Sequence, residues 1–413
     1  MSAGKLILLA QTTTYRANPF AQAAQRLGIE VVYATNMHPD LAEYWQSPLG
    51  LQFDDPDAAV KKIVAYARRN RVGAVIAVDD SGSLIAARAA QALGLPHNSG
   101  YAAQAARDKY RMRRLFAAAG VPSPGFARYS TADNPAHIGA QVAYPCVLKP
   151  LNLSGSRGVI RADSPAEFEQ AFKRIERLLN AINPADPAHL ILVEEFIPGA
   201  EVALEGLLDR GRLNVLALFD KPDPLDGPFF EETIYVTPSR LSPEAQDAIA
   251  ACVSRAVAAL GLFHGPVHAE LRVNDNGPRM LEVAGRSIGG LCSKTLRFGN
   301  DVSLEELILR QAFNLDFESF SRQQRAEGVM MIPIPGAGML TGVQGVLEAE
   351  QVPGVTGVEI TAQLNHPLVP LPEGESYLGF IFAQGESPGD VETALRQAHQ
   401  MLSFELSPLL PLL

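Results

Sequence analysis

Short apolar runs alternate with helical periodicities through residues 1–100. The apolar runs predict strands and the periodic stretches predict helices, beginning with a strand and alternating strictly. These segments are 5–10, 21–27, 31–35, 58–69, 72–80 and 81–93. Such alternation indicates a parallel sheet covered by helices on both faces, so we predict an N-terminal doubly wound α/β domain over 1–100. The first run is not followed by GxGxxG, which argues against a dinucleotide-dependent dehydrogenase.

The pattern changes after residue 100. Residues 101–328 contain a Pro-rich linker at Pro122 and Pro124, then a Gly/Ser loop, a charged helix and an apolar strand, a set that predicts a small α+β insertion. Residues 329–413 carry short strand-like runs rich in Gly, Pro and Val and end in a helical pattern. We therefore predict a compact C-terminal α+β accessory domain.

Composition narrows the class of protein. The chain has 413 residues, of which 47% are hydrophobic and 19% charged, as in multidomain globular proteins. A formal charge of −10 without a long basic run argues against nucleic-acid binding, and no apolar stretch is long enough to cross a membrane. The three cysteines have neither CxxC nor Cys/His spacing, so we expect no zinc site or disulfide framework and a cytoplasmic location.

The most informative stretch is HAELRVNDNGPRMLEV, residues 268–283. Two alternating runs flank Asp275-Asn276-Gly277, which suits the loop of a β-hairpin. A three-residue loop sets the cross-strand pairs, which are His268 with Ala284, Glu270 with Glu282, and Arg272 with Met280. Two carboxylates would then face each other with their Cβ atoms ~5 Å apart, where like charges repel. A cation should therefore lie between Glu270 and Glu282.

Mg²⁺ bound to a nucleotide fits such a pair, because Mg²⁺ takes one or two carboxylates and completes its shell with phosphate and water. Two structural alternatives remain open. Arg272 or Arg286 could neutralise the pair, or the register could slip by one residue and separate the carboxylates. Arg286 could instead reach a transferring phosphoryl group or a substrate carboxylate, for which its planar guanidinium is suited.

Two further segments have the chemistry of a nucleotide site. In VLKPLNLSGSRGV a buried strand carries Lys149 and opens into a Gly/Ser loop, whose small residues would let backbone N–H groups approach phosphate. The alternative is a flexible hairpin turn, and the GK[ST] ending of a P-loop is missing. In VEEFIPGAEVALEG the residues from Glu194 to Ile197, with Glu201, could offer backbone groups, an apolar slot and a carboxylate to adenosine. The alternative is an ordinary exposed β-turn, which the same sequence would also fit.

The order of these pieces is more specific than any one of them. Asp108-Lys109 opens a helix, and Lys149, the Gly/Ser loop, EEFIPGAE and a hairpin ending in AGRSIGG follow. This succession resembles the ATP-grasp superfamily of carboxylate–amine ligases over residues 101–290. The resemblance implies an ATP-grasp α+β core with a mobile lid at about 127–204, and ATP between lid and core.

The resemblance also implies roles for individual residues. Those assigned to ATP are Lys109, Lys149, Ser154, Gly155, Ser156 and Gly158 at the phosphates, Glu194, Glu195, Phe196 and Ile197 at the adenine, and Glu201 at the ribose. Glu270 and Glu282 would hold Mg²⁺, or Mn²⁺ in its place. Lys149 and Arg286 are the predicted catalytic residues, with Arg286 steadying an acyl phosphate. The family often has Asn where this chain has Ala284, which leaves the number of metal ions open.

LEVAGRSIGG followed by a Gly/Val-rich C-terminal part is most similar to the L-amino acid ligases that make dipeptides. We therefore expect an enzyme that joins a small-molecule carboxylate, an amino acid, to an amine through an acyl phosphate, releasing ADP and phosphate. The alternatives are a purine-pathway ligase or biotin-carboxylase-like enzyme, and a nucleotide-binding module without activity. The sequence leaves the oligomeric state open, with a homodimer as one option.

Overall fold

The computed structural model describes residues 4–12, 14–44, 49–186, 188–317, 319–374 and 377–408. The chain begins with the predicted parallel sheet, whose strand order is β3-β2-β1-β4. Its elements are β1 (Lys5–Ala10), α1 (Ala17–Arg26), β2 (Val31–Asn36), α2 (Pro39–Tyr44), β3 (Leu49–Leu51), α3 (Pro56–Ala67), β4 (Val72–Ala77) and α4 (Asp80–Ala92). Alternate residues of β1 pack in opposite directions: Leu6 and Leu8 belong to the core that contains α1, and Ile7 and Leu9 to the core that contains α3 and α4. The prediction of helices on both faces is confirmed.

Two helices lead into the central part of the molecule, α5 (Gly100–Arg107) and α6 (Lys109–Ala118). The Asp108 carboxylate accepts a hydrogen bond from the backbone N–H of Arg111 at 3.0 Å and so caps α6. The cap places Lys109 in the first turn of that helix, where its side chain is buried.

A small antiparallel sheet follows, with the strand order β5-β8-β6-β7. Its elements are β5 (Phe126–Ser130), α7 (Pro135–Gly139), β6 (Cys146–Pro150), β7 (Ile160–Ala162), α8 (Pro165–Ile182) and β8 (Leu190–Glu195). Phe168, Phe172 and Ile175 on one side of α8 pack against this sheet. We call β5 to β8 with their two helices the lid. The expected end of the lid, at about residue 204, falls beyond this sheet.

The central elements are β9 (Ala200–Asp209), β10 (Arg212–Lys221), β11 (Ile234–Thr237), α9 (Pro243–Leu260), β12 (Gly265–Asn274), β13 (Gly277–Ala284), a 3₁₀ helix (Cys292–Thr295), β14 (Arg297–Phe298), β15 (Val302–Ser303) and α10 (Leu304–Ala312). The C-terminal elements are β16 (Ala326–Ile332), β17 (Gly338–Gln344), α11 (Val346–Glu350), β18 (Val355–Ile360), β19 (Pro367–Leu368), β20 (Gly379–Gly385), α12 (Pro388–Met401) and β21 (Ser403–Ser407).

One eight-stranded sheet joins these two parts in the order β13-β12-β9-β10-β11-β16-β20-β18. The predicted boundary between residues 328 and 329 lies inside β16, which pairs with β11 on one side and β20 on the other. The C-terminal part therefore shares the sheet of the central part. The division of the chain into three domains stays a prediction.

The hairpin of β12 and β13 has the expected pairs His268 with Ala284 and Glu270 with Glu282. The expected pair of Arg272 with Met280 is wrong, because Arg272 faces Arg279. The loop is one residue shorter than predicted, with Asn274 opposite Gly277, and a bulge at Leu281 restores the register before Glu282. A bulge adds one unpaired residue to a strand, which a strict two-residue alternation does not reveal.

The two faces of the hairpin differ in chemistry. Ala269, Leu271 and Val283 pack with α9 in an apolar core, and the charged residues of β12 lie on the opposite face. No helix in the described part of the chain is long and apolar enough to span a membrane. All three cysteines are free and buried.

Candidate active site

Strand pairing brings charged residues together on one face of the central sheet. Glu201 of β9 lies opposite Lys221 of β10 and opposite Arg272 of β12. Glu270 lies between Arg272 and His268 on the same face of β12, because alternate residues of a strand share a face. Four neighbouring strands, from β13 to β10, thus contribute to one charged layer.

Glu270 and Glu282 face each other across β12 and β13, but each carboxylate has its own cation. Lys221 Nζ lies 3.2 Å from Glu270, and Lys109 Nζ lies 3.3 Å from Glu282. Arg272 and Arg286, which the structural alternative named as partners of the pair, lie against other carboxylates, Glu201 and Asp80. The two lysines therefore come from other elements, β10 and α6.

Lys221 is the central residue of this layer, and the sequence reasoning missed it. Its buried ammonium lies 2.8 Å from Glu201 and also contacts Glu232 and Glu270. Burial alone would lower the pKa of Lys221, but Glu201, Glu232 and Glu270 outweigh this and raise it well above its usual value. Burial and the charge of Glu270 raise the pKa of Glu232 to about 7, against the opposing effect of Lys221. Lys221 is therefore charged at neutral pH.

His268 forms a second buried ion pair beside Glu270. Its Nδ1 lies 3.2 Å from Glu205 and its Nε2 lies 3.3 Å from Glu270. Burial would lower the pKa of His268, but the hydrogen bonds to the two carboxylates raise it to about 9. Glu205 also accepts the backbone N–H of Ile288, at 3.2 and 3.1 Å from its two oxygens. His268 is therefore an imidazolium whose protons are held by two carboxylates.

The Gly/Ser loop lies next to Lys109. The Lys109 ammonium donates to the carbonyl of Leu153 at 2.7 Å, so the same side chain contacts the start of the loop and Glu282. Gly155, Ser156 and Gly158 all have positive φ angles, of 63°, 55° and 73°. At Gly158 a side chain is excluded, since a Cβ would lie 2.6 Å from Pro150. Ser154 and Gly155 are exposed, as a loop that binds a ligand requires.

Lys149 is held by a buried carboxylate. Glu194 Oε2 lies 2.7 Å from Lys149 Nζ, and Glu194 Oε1 lies 2.5 Å from Arg113 Nε. Burial would raise the pKa of Glu194, but Arg113 and Lys149 lower it. The Glu194 side chain, expected beside the adenine, is thus directed to the two cations. The sequence did not single out Arg113, because α6 contains several charged residues and nothing in its pattern marks this one as buried.

The other predicted adenosine residues lie at the junction of lid and central sheet. Glu195 is exposed, and Ile197 is buried. The Phe196 ring is contacted by two guanidinium groups, 4.2 Å from that of Arg161 and 5.1 Å from that of Arg272. Glu201, expected at the ribose, lies in the charged layer with Lys221 and Arg272.

Arg286 joins the central part to the N-terminal sheet. Its Nε donates to Asp80 Oδ2 at 2.8 Å, where α4 begins at the carboxyl end of β4. Burial would lower the pKa of Arg286, but Asp80 raises it. Arg16, which follows β1, donates to the carbonyls of Ser287 and Ile288 at 3.1 and 2.8 Å. The AGRSIGG turn is therefore fixed against the carboxyl edge of the N-terminal sheet, where α/β proteins commonly bind ligands.

The residues fit a magnesium ion. Glu270 and Glu282 are partly exposed, lie on facing strand positions and offer the hard oxygen ligands that Mg²⁺ prefers. A second group, Glu201, Glu232 and Glu270, has carboxylate oxygens within 4.8 Å of one another. The ammonium of Lys221 already lies among those three. The hairpin pair stays the candidate for the ion because Glu270 and Glu282 lie on facing strand positions and are 21% and 34% exposed.

Three protein-family models match the chain in succession. Residues 21–97 match the ATP-grasp N-terminal domain, residues 142–295 the ATP-grasp domain, and residues 330–407 the L-amino acid ligase C-terminal domain 2. The crystal structure of L-amino acid ligase from Bacillus licheniformis has a TM-score of 0.83 and 28% identity, and the match covers 98% of this chain and 100% of that one. The chain belongs to the ATP-grasp superfamily.

Curated relatives agree with this assignment. Alanine–anticapsin ligase of Bacillus subtilis (strain 168) is 25% identical over 91% of this chain and 85% of its own length. D-alanine–D-alanine ligase of Aromatoleum aromaticum is 31% identical over 46% of this chain and 60% of its own length. Phosphoribosylglycinamide synthetase from Anaerococcus prevotii has a TM-score of 0.69 but only 16% identity, which shows the fold alone.

This ATP-grasp protein is thus an ATP-dependent carboxylate–amine ligase, most like the L-amino acid ligases. The α/β architecture expected from the sequence is confirmed. A purine-pathway ligase, a biotin-carboxylase-like enzyme and a binding module without activity are not favoured.

Several site residues could have been found in the sequence. Lys149 directly follows the apolar run of β6, and Lys221 comes two residues after the end of the apolar run of β10 at Phe219. Glu232 lies two residues before the apolar run of β11, which begins at Ile234. A charged residue at the end of a buried strand is a usable signal. Arg16 and Asp80 had the weaker signal of lying after parallel strands.

Proposed function

We propose that this enzyme joins the carboxylate of one amino acid to the amine of another, with an acyl phosphate as intermediate and ADP and phosphate as products. The observation that carries the proposal is the Glu270–Glu282 pair flanked by Lys221 and Lys109, with Lys109 also bonded to the Gly/Ser loop. This arrangement can hold a phosphate chain beside a hard cation. A binding module without activity would not need both carboxylates and both lysines.

The substrate class is inferred from the relatives. Two of these relatives, an alanine–anticapsin ligase and an L-amino acid ligase, are named for amino acids or their analogues. The C-terminal family match supports the same choice over the purine-pathway enzymes, whose similarity is confined to the fold.

ATP would bind between the lid and the central sheet. Lys109, Lys149 and the loop residues Ser154, Gly155, Ser156 and Gly158 would contact its phosphates. Residues 194–197 would line the adenine, chiefly through backbone groups and the side chains of Phe196 and Ile197, because the Glu194 carboxylate is engaged by Arg113 and Lys149. Glu201 is paired with Lys221 and Arg272, so to bind the ribose its carboxylate would have to give up one of these contacts and accept a ribose hydroxyl instead.

In the first step a carboxylate oxygen of the acid attacks the γ-phosphorus, and the bond to the β-phosphate oxygen breaks to release ADP. Lys109 and Lys149 would offset the charge of the transferring group. When Mg²⁺ is bound, Glu270 and Glu282 would hold it, and it would supply further neutralisation of phosphate charge.

In the second step the amine nitrogen attacks the acyl carbon, the bond from that carbon to the phosphate oxygen breaks, and the departing phosphate or solvent takes up the proton that the nitrogen loses. Arg286 would steady the acyl phosphate, since Asp80 fixes its guanidinium at the edge where the N-terminal and central sheets meet. Lys149 and Arg286 are the residues we propose as catalytic.

The test is incubation with ATP, Mg²⁺ and pairs of amino acids, with products identified by mass spectrometry. We expect a condensed product together with ADP and inorganic phosphate. Formation of AMP and pyrophosphate would exclude the acyl-phosphate route. Turnover with bicarbonate or phosphoribosylamine in place of amino acids would move the enzyme to another ATP-grasp branch. A cytoplasmic location and a homodimer stay predictions.

A further inference from the structure

A loop of the C-terminal part reaches across to the lid. This loop, residues 370–374, follows β19 and is here called the latch. The backbone N–H of Gly158, at the end of the Gly/Ser loop, donates to the carbonyl of Pro372 at 2.8 Å. Arg157 Nε donates to the carbonyl of Glu373 at 2.9 Å. Two adjacent latch carbonyls thus hold the last two residues of the loop proposed to bind ATP phosphates.

The latch also holds the lid helix. Arg174 of α8 makes a two-pronged ion pair with the Glu373 carboxylate, with Nε–Oε1 at 2.5 Å and Nη2–Oε2 at 2.8 Å. The hydrogen bond to Arg174 lowers the pKa of Glu373. Such two-pronged pairs fix the relative orientation of two groups as well as their distance. Glu373 therefore contacts the lid at two elements, through its carbonyl and through its carboxylate.

The latch itself is a tight turn. The backbone N–H of Gly374 donates to the carbonyl of Pro370 at 2.9 Å. A Cβ at Gly374 would lie 1.8 Å from the Val369 carbonyl oxygen, so only glycine fits. The two carbonyls that face the Gly/Ser loop therefore come from a constrained piece of backbone rather than from a freely moving loop.

The lid sheet and the eight-stranded sheet share no strand among those described. Contacts such as those of the latch therefore help to decide how closely the Gly/Ser loop approaches the charged layer. From this geometry we propose that Glu373 is a positioning residue for ATP: its carboxylate fixes the latch to Arg174 of the lid, and the latch carbonyls then hold the Gly/Ser loop over the phosphates. The inference rests on the proposed role of residues 154–158 in binding phosphate.

A purely structural role is separable from this one. Arg174 and Glu373 are 39% and 38% exposed, and ion pairs with that exposure contribute little to global stability. Removing the pair should leave the fold intact and act on the loop. Arg174 also lies 4.9 Å from the Phe229 ring, a contact that survives when Glu373 alone is changed.

The experiment compares Glu373→Ala, Arg174→Ala and the double variant with the unmodified protein. MgATP affinity is measured by calorimetry, and KM for ATP and kcat are measured separately. We expect each single variant to weaken ATP binding about two- to fivefold and to raise KM for ATP by a similar factor, with a smaller effect on kcat. The double variant should bind MgATP as tightly as the single variant with the lower affinity, because both changes break the same contact. Lys173→Ala, which breaks the neighbouring pair with Glu169 on the same helix, is the control and should bind ATP normally.

Hydrogen exchange of residues 152–158 without nucleotide gives an independent readout, and it should be faster in Glu373→Ala than in Lys173→Ala. Unchanged exchange, or faster exchange with unchanged ATP affinity, would overturn the inference. Additive losses in the double variant would also overturn it. If the unmodified protein bound no MgATP, the proposed function would fall and this inference with it. If the unmodified protein binds MgATP and the variants bind it equally well, only the inference falls.

Discussion

Glu270 and Glu282 lie directly opposite each other on β12 and β13, yet each is paired with a lysine from a different element of the fold. Lys221 reaches Glu270 from β10, and Lys109 reaches Glu282 from α6. Each of the two negative charges is therefore neutralised by a different lysine, and the facing carboxylates do not depend on one shared cation.

The first prediction concerns this pair. Glu282→Gln keeps the size of the side chain and removes one charge. Glu282 is about one-third exposed, and Lys109 keeps its bond to the Leu153 carbonyl, so the metal-free protein should change in stability by no more than about 1 kcal/mol. Ligation should fall at least about 100-fold, because a group that stabilises transferring charge is lost.

Thermal melts with and without Mg²⁺ and ATP, together with turnover assays, check this prediction. Activity of the unmodified protein should vanish with EDTA and return with Mg²⁺ or Mn²⁺. A variant that melts clearly lower without ligand, but keeps its ligand-induced shift and its turnover, would overturn the assignment of Glu282 to the metal.

The second prediction concerns Lys221. Lys221→Met removes the ammonium from among Glu201, Glu232 and Glu270, whose carboxylates then repel one another in a buried site. The free energy of unfolding at pH 8 should fall by about 3–5 kcal/mol. The loss should be smaller near pH 5, since a carboxylate can then take up a proton. Tyr235→Phe, which removes a hydroxyl bonded to Glu232 without changing charge, is the control. Denaturant titrations at both pH values decide the matter, and equal losses at the two would contradict the electrostatic explanation.

The third prediction compares the buried Glu194 with the exposed Glu195 next to it in the chain. Glu194→Gln leaves Arg113 and Lys149 without their shared carboxylate in a buried place, which should cost about 3–5 kcal/mol in the free energy of unfolding. KM for ATP should also rise, because Lys149 is no longer oriented. Glu195→Gln, at an exposed position one residue away, should alter stability by less than about 0.5 kcal/mol. Similar melting curves for the two variants would refute a special role for Glu194.

The sequence predicted local patterns well and long-range partners poorly. The N-terminal strands and helices, and the pairing of Glu270 with Glu282, follow from periodicities of two and 3.6 residues that depend on neighbours in the chain. The ion-pair partners of those glutamates cannot be predicted from these periodicities, because Lys221 is 49 residues from Glu270 in the chain and Lys109 is 173 residues from Glu282. The bulge at Leu281 was missed for a related reason. It is set by pairing across the hairpin rather than by residue type.

The fourth prediction uses the raised pKa of His268. A histidine whose pKa is about 9 in the folded protein and 6.5 in the unfolded chain binds its proton more tightly when folded. It therefore contributes its full stability below pH 6.5, and that contribution is lost as pH rises through 9. The loss should amount to about 3 kcal/mol across this window, and it should be absent in His268→Gln. Measurements belong in metal-free buffer with EDTA, because His268 contacts Glu270.

His264 gives the matched control for that experiment. Burial lowers its pKa below 6.5, so its contribution to stability increases with pH and is complete above that value. His264→Gln should therefore keep the decline in stability between pH 6.5 and 9, whereas His268→Gln should flatten it. Denaturant titrations at half-unit pH steps measure both slopes. A decline that persists unchanged in His268→Gln would mean that another group titrates in this window and that His268 is not the buried imidazolium between Glu205 and Glu270.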